Sequence, residues 1–210
     1  MNAPPPPLPP LPTDGSPGRL ASQLDFVLEI DRLKTVLRRT VIVDRSRREN
    51  TAEHSWHIAL AALLLAEHAG DGVDVARVVR MLLVHDVVEI DAGDTFAYDA
   101  AGYADKAERE QTAAERIFGL LPADQGAELA ELWKEFEAGA TAEARFANAV
   151  DRLQPMLHNF VTEGHAWREH GVTGAQVRER NRAIGDGAPE LWRFAERMID
   201  EAVARGWIEE

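Results

Sequence analysis

The chain has 210 residues, a net charge of −13, and 45% hydrophobic against 28% charged residues, the composition of one globular domain large enough for a real core. The acidic balance disfavours an extended nucleic-acid partner, since affinity for a phosphate backbone comes from Lys and Arg, and zero cysteines remove disulfides, thiol nucleophiles and Cys-based zinc sites. No apolar run approaches the roughly 18 residues that span a bilayer, and the start lacks a basic, then apolar, signal pattern, so a cytoplasmic protein without membrane contact is expected.

Residues 1–18 are rich in Pro with Gly and Ser and have little to bury, which predicts a disordered tail ahead of a single domain over 19–210. Ser22-Gln23-Leu24-Asp25 has the form of a capping box, and Leu24, Val27, Ile30, Leu33 and Leu37 recur at helical spacing, predicting a first helix to about Arg38. Arg39 to Arg48 then forms a connecting loop. Asn50-Thr51-Ala52-Glu53 is a second capping box, opening a helix that carries His54 in its first turn and stops at Gly70. Val75, Val78, Val79, Leu82 and Leu83 predict a third helix running into His85-Asp86 and ending at Gly93, with Asp94 in a loop beyond it.

Helices are expected over 104–121 and 122–137, and a long one from Thr141 carries Phe146, Val150, Asp151, Leu153 and Phe160, with a kink at Pro155. Two more run over about 174–184 and from Pro189, a favoured first-turn position, to Arg205. No strand-like alternation of useful length appears. The fold class expected is all-α.

One stretch stands out chemically. Leu82-Leu83-Val84-His85-Asp86-Val87-Val88-Glu89 is an apolar helical segment interrupted by a His, an Asp and a Glu, whose burial is costly unless something binds them. A divalent metal is the natural candidate. On a helix Glu89 lies one turn beyond His85 and Asp86 about 100° round, and His54 and Asp151 are further ligand candidates on neighbouring helices. Taken singly, each is more simply a hydrogen-bonded core His or a helix-surface Asp. Two imidazoles and two carboxylates together suit one borderline-to-hard divalent ion, and the set does not choose between Mn, Co, Fe, Ni, Zn and Mg. Such an ion polarises a phosphoryl oxygen and lowers the pKa of a water, chemistry suited to phosphomonoester hydrolysis.

The ordered words Glu49-Asn-x-x-Glu-His54-Ser, His85-Asp86-x-x-Glu89, Gly93-Asp94 and Asp151 resemble the HD-domain metal-dependent phosphohydrolases. Within them, the branch of bacterial 5'-deoxynucleotidases and their eukaryotic relatives is the nearest match, over roughly residues 24–160. The resemblance implies an HD-domain helical bundle and a homodimer that removes the 5'-phosphate of (deoxy)nucleoside monophosphates. It implies metal ligands His54, His85, Asp86 and Asp151, with Glu89 and Asp94 beside the reacting water and phosphate. It also implies that Arg39 grips the phosphate, a task suited to a guanidinium. Thr40 stands where that branch carries a Trp that shapes the sugar pocket, a departure bearing on the exclusion of ribonucleotides.

Arg32, Lys34, Arg38, Arg39, Arg45, Arg47 and Arg48 crowd basic charge just before His54; Arg38 reads as a surface residue, and His57 as a core or supporting residue. The lack of His between His85 and His158 favours one metal over the two of dinuclear HD proteins, and so disfavours a di-iron oxygenase. The remaining rivals are another phosphate ester such as guanosine tetraphosphate, and a regulatory module that keeps the metal without turnover.

Overall fold

The computed structural model describes residues 18–210; the Pro-rich segment expected to be disordered lies outside them apart from Gly18. Helix α1 (Arg19–Ile30) starts at Gly18 and tightens into a 3₁₀ segment over Asp31–Thr35. Ser22 therefore lies inside α1 and does not cap it. Val36 turns the chain extended, and the predicted loop is instead a hairpin of β1 (Leu37–Val41) against β2 (Arg48–Asn50), antiparallel, with Leu37 opposite Asn50. The β-branched run Thr40-Val41-Ile42-Val43 favours this pairing. Ile42 donates to the Arg47 carbonyl at 3.1 Å, Ser46 to Asp44 Oδ1 at 2.9 Å, and Arg45 takes φ +61° at the tip.

Helix α2 (Thr51–Leu64) opens on the predicted capping box. Asn50 accepts from the Glu53 N–H at 2.9 Å, and Glu53 accepts from the Asn50 N–H at 3.3 Å. Helix α3 (Val75–Val84), capped by Asp74, does not continue to Gly93. Bonds from Val87 to the Val84 carbonyl and from Glu89 to the Asp86 carbonyl wind the chain more tightly, before a single turn, α4 (Glu89–Ala92), ends at Gly93 with φ +75°.

After the loop 93–105 come α5 (Lys106–Phe118), α6 (Ala123–Ala138) and α7 (Ala142–Val161), the last capped by Thr141 as predicted. Helix α7 runs unbroken past Pro155, and a short α8 (His165–Glu169) that the sequence did not signal follows it. Helix α9 (Gly174–Asn181) ends sooner than predicted, α10 (Ile184–Gly187) makes a separate turn, and α11 (Pro189–Ala204) matches its expectation. Gly187 lets α10 lie against α7, since a Cβ there falls 2.2 Å from the Arg145 carbonyl oxygen.

Helix α7 is the central strut. Its Phe146, Val150 and Leu153 pack with Ile58 of α2, Met81 and Leu82 of α3, Phe136 of α6 and Ile199 of α11 in the main core. A second cluster joins Phe26, Val84, Val88, Ile117, Phe118 and Trp133 beneath α1 and α5. The two cores fix α2, the end of α3 and α7 relative to one another, and those three elements carry the expected ligands. No helix among the described residues is long and apolar enough to cross a membrane.

Phe146 is fully buried where these helices meet. Phe146→Ala is expected to lower unfolding free energy by about 3–5 kcal/mol in urea titrations, through lost transfer energy and the cavity left behind.

Candidate metal centre

Four side chains converge where α2, the tight turn after α3, and α7 meet. His54 Nε2 lies 2.9 Å from Asp151 Oδ1 and 3.9 Å from Asp86 Oδ2; His85 Nε2 lies 3.0 Å from Asp86 Oδ1 and 3.8 Å from Asp151 Oδ1. His54, His85 and Asp151 each offer a ligand atom to one small volume, and Asp86 borders it. Both imidazoles are buried.

Their outward nitrogens are already engaged. His85 Nδ1 faces the Leu82 carbonyl at 2.9 Å, and His54 Nδ1 faces Gln154 Oε1 at 3.1 Å. A neutral imidazole has one N–H, so donating outward leaves each Nε2 with a lone pair aimed among carboxylate oxygens. His85 Nε2 is buried with no well-aligned hydrogen-bond partner. A cation at that point resolves the conflict for both rings at once, which is the fit expected of a metal site.

The charges are strongly coupled. Burial works to lower the His85 pKa, but Asp86 and Asp151 outweigh it and hold it well above the usual imidazole value. Burial and the nearby Arg38 keep His54 below its own. Burial works to raise the Asp151 pKa, but the two imidazoles beside it hold it well below the carboxylate range. Glu89, pushed up by burial and by Asp86, sits well above it, and Thr51 Oγ1 donates to its Oε2 at 2.9 Å. Asp94 is raised by burial and by Asp86, against the pull of Arg38 and Arg39.

Arg38, expected at the surface, lies within this group of acids. Its Nη1 is 3.1 Å from Asp86 Oδ2 and 3.9 Å from Asp94 Oδ1, and its Nε is 3.7 Å from Glu49 Oε2. The strand conformation explains the correction: on β1, adjacent residues face opposite sides, so Arg38 turns inward while Arg39 stays exposed at the rim. Burial pushes Glu49 up to about 7, with Arg38 and a Gln154 hydrogen bond pulling down.

His85, Asp86 and Asp151 open into a cleft of about 280 Å³ that Arg39, Thr40, Glu89 and Asp94 also line, with His54 fully buried behind them. Phe96, Tyr98, Tyr103 and Trp167 give it an aromatic wall. Sequence reasoning missed this wall, which the loop 93–105 supplies in part. Arg109 straps that loop, reaching the Ala92 carbonyl, the Gly102 carbonyl at 3.1 Å and Thr95 Oγ1 at 3.3 Å. It also missed Gln154 and Thr51. Only the placement of Gln154 one turn beyond Asp151 on α7, and of Thr51 inside the capping box, hinted at either.

A helical bundle that draws a His from one helix, a His-Asp pair from the end of a second and an Asp from a third has the layout of an HD domain. Residues 30–192 match the HD-domain family, and the chain belongs to it, among metal-dependent phosphohydrolases. A solved structure from Magnetospirillum magnetotacticum MS-1, described as a predicted metal-dependent phosphohydrolase, is 59% identical with a TM-score of 0.88, covering 91% of this chain and 96% of that one. The 5'-deoxynucleotidase HDDC2 of Homo sapiens is 34% identical over 137 residues, 65% of this chain and 66% of the relative. That of Mus musculus is 32% identical over 143 residues, 68% and 70% respectively. The chain thus spans about two thirds of the length of these curated relatives.

Removing Arg38 leaves buried carboxylates without their cation. In metal-free protein, Arg38→Leu is expected to cost about 3 kcal/mol of stability, while Arg39→Leu at the exposed rim stays within about 0.5 kcal/mol of the parent. Urea unfolding of the two variants side by side checks the assignment.

Proposed function

We propose that this chain is a metal-dependent phosphomonoesterase that removes the 5'-phosphate from nucleoside monophosphates, deoxyribonucleotides among them. The observation that carries the reading is the inward aim of both imidazole Nε2 atoms at Asp86 and Asp151, beside a cleft lined by guanidiniums and aromatic rings. The 5'-deoxynucleotidase names of the curated relatives support the substrate class.

His54, His85, Asp86 and Asp151 are the proposed ligands of one divalent ion, which when bound supplies Lewis acidity toward a phosphoryl oxygen and brings a water's pKa toward neutrality. The chain's own groups do the rest. Glu89, buried and anchored by Thr51, and Asp94, on the loop that closes the cleft, serve between them to orient the attacking water, take its proton and return one to the leaving ester oxygen. Arg39 at the rim receives the phosphate, while Arg38 keeps the acids in place. Phe96, Tyr98, Tyr103 and Trp167 offer flat apolar surface to sugar and base. Buried Thr40 is small, so that wall sets a weak bar to a 2'-hydroxyl.

The decisive experiment is phosphate release by metal-stripped protein from a panel of deoxy- and ribonucleoside 5'-monophosphates, with Mn, Co, Zn or Mg restored separately. Metal-dependent release from 5'-monophosphates, with a modest deoxy-to-ribo preference, is expected. Silence across the panel with metal bound overturns the substrate assignment. Asp151→Ala is expected to lose metal content and activity together, by elemental analysis and phosphate release.

A homodimer has a natural face on α2. Trp56, Leu60, Leu63 and Leu64 recur on one side and stay exposed, Trp56 by 64%, while His54 looks into the core from the other side. Light scattering is expected to give twice the chain mass for the parent, and the single-chain mass for a Trp56→Glu, Leu60→Glu double variant.

A further inference from the structure

We infer that Gln154 is a positioning residue that sets His54 as a metal ligand, and that Glu49, His57 and His158 exist to hold its amide one way round. The inference rests on the metal reading of His54. The two metal-facing imidazoles are fixed by unlike partners. His85 Nδ1 meets the Leu82 backbone carbonyl, which can only accept, so in the neutral ring the lone pair sits on Nε2. His54 Nδ1 meets a side-chain amide, and an amide can be turned over. Turned over, it presents NH₂ to Nδ1, forces the N–H onto Nε2 and removes the ligand.

What prevents the turn lies on the far side of the amide. Gln154 Nε2 donates to Glu49 Oε1 at 2.7 Å, and lies 3.3 Å from His57 Nδ1 and 3.2 Å from His158 Nε2. Glu49 is only 2% exposed, and Arg38 flanks it. With the Glu49 carboxylate accepting there, an amide oxygen turned that way meets another oxygen, whereas NH₂ satisfies Glu49 with one hydrogen and faces the imidazoles with the other. The orientation passes from Glu49 through Gln154 to His54 Nδ1, and so to Nε2.

The same geometry accounts for a second cluster. Glu49, His57 and His158 bring ligand-type atoms close enough together to hold an ion of their own. The Gln154 amide nitrogen occupies its middle, within 3.3 Å of a polar atom of each, so the cluster is filled by the positioning amide and one metal binds per chain.

Zinc titrations of the metal-stripped full chain, with a chelator competing, test this. The parent is expected to bind one zinc per chain, and Gln154→Leu to bind it 10- to 100-fold more weakly, about the range for outer partners of a ligand imidazole. Gln154→Glu, which can share a proton with Glu49 and still present an oxygen to His54, is expected to recover most of the affinity. Equal Kd for the parent and Gln154→Leu, or Gln154→Glu as weak as Gln154→Leu, overturns the positioning role. Two zinc ions per parent chain overturn the filled cluster. If circular dichroism shows Gln154→Leu unfolded, Glu49→Leu replaces it: unlocking the amide is expected to weaken zinc binding, and an unchanged Kd overturns the relay. A parent that takes up no zinc overturns instead the metal reading beneath it.

Discussion

The Nε2 atoms of His54 and His85 and the carboxylates of Asp86 and Asp151 are aimed at one buried point, where positive charge offsets the crowded acids. Much of the fold serves this requirement. The main core locks α2, α3 and α7 at a fixed separation, so that groups far apart in the chain meet within hydrogen-bonding distance. The hairpin of β1 and β2, the one sheet among the described residues, delivers Arg38 as a permanent counter-charge to Asp86, Glu49 and Asp94. A helix carried on to Arg38, as the apolar spacing suggested, has no backbone path to that position, because β1 pairs with the segment that leads directly into His54.

The elements that sequence reasoning read correctly are those in which local chemistry and tertiary need agree. The Asn50 capping box forms as written, and it is what starts α2 where His54 must stand. Thr141 and Pro189 likewise mark helix starts through groups of their own. The misread places are those where tertiary contacts override periodicity. The apolar pattern through His85 fits a continuous helix, yet the chain tightens there by i→i+3 bonds. Leu33 and Leu37 keep helical spacing, but Leu37 ends up exposed on a strand.

The site shows the same division. The four ligand-type residues were legible because their residue types are costly in apolar surroundings and therefore announce a partner. Gln154 was not, since a glutamine on a helix has no such signature and its meaning lies in what Glu49, 105 residues away, does to its amide. Choosing between Arg38 and Arg39 required knowing that the backbone is extended there, which turns two neighbours to opposite sides.

An anionic substrate must also approach a chain of net charge −13. Local arrangement offsets the mean field, because Arg38, Arg39, Arg152 and Arg180 all line the cleft. Arg152 donates to the Arg180 carbonyl at 2.6 Å, and Arg180 to the Tyr103 hydroxyl at 3.0 Å, bonds that leave both charges uncancelled. Burial and the neighbouring Arg180 lower the Arg152 pKa, the signature of cations crowded into a partly dry wall. Arg38 sits among the carboxylates of Asp86 and Asp94, and Arg39, Arg152 and Arg180 add guanidiniums elsewhere in the lining, so both signs of charge meet in the cleft. On the proposed function, a phosphate ester meets guanidinium donors that fit its oxygens and carboxylates that repel it, and a cation among those carboxylates offsets the repulsion. On that reading, binding of the ester and occupancy of the proposed metal centre are coupled through charge, each easing the other.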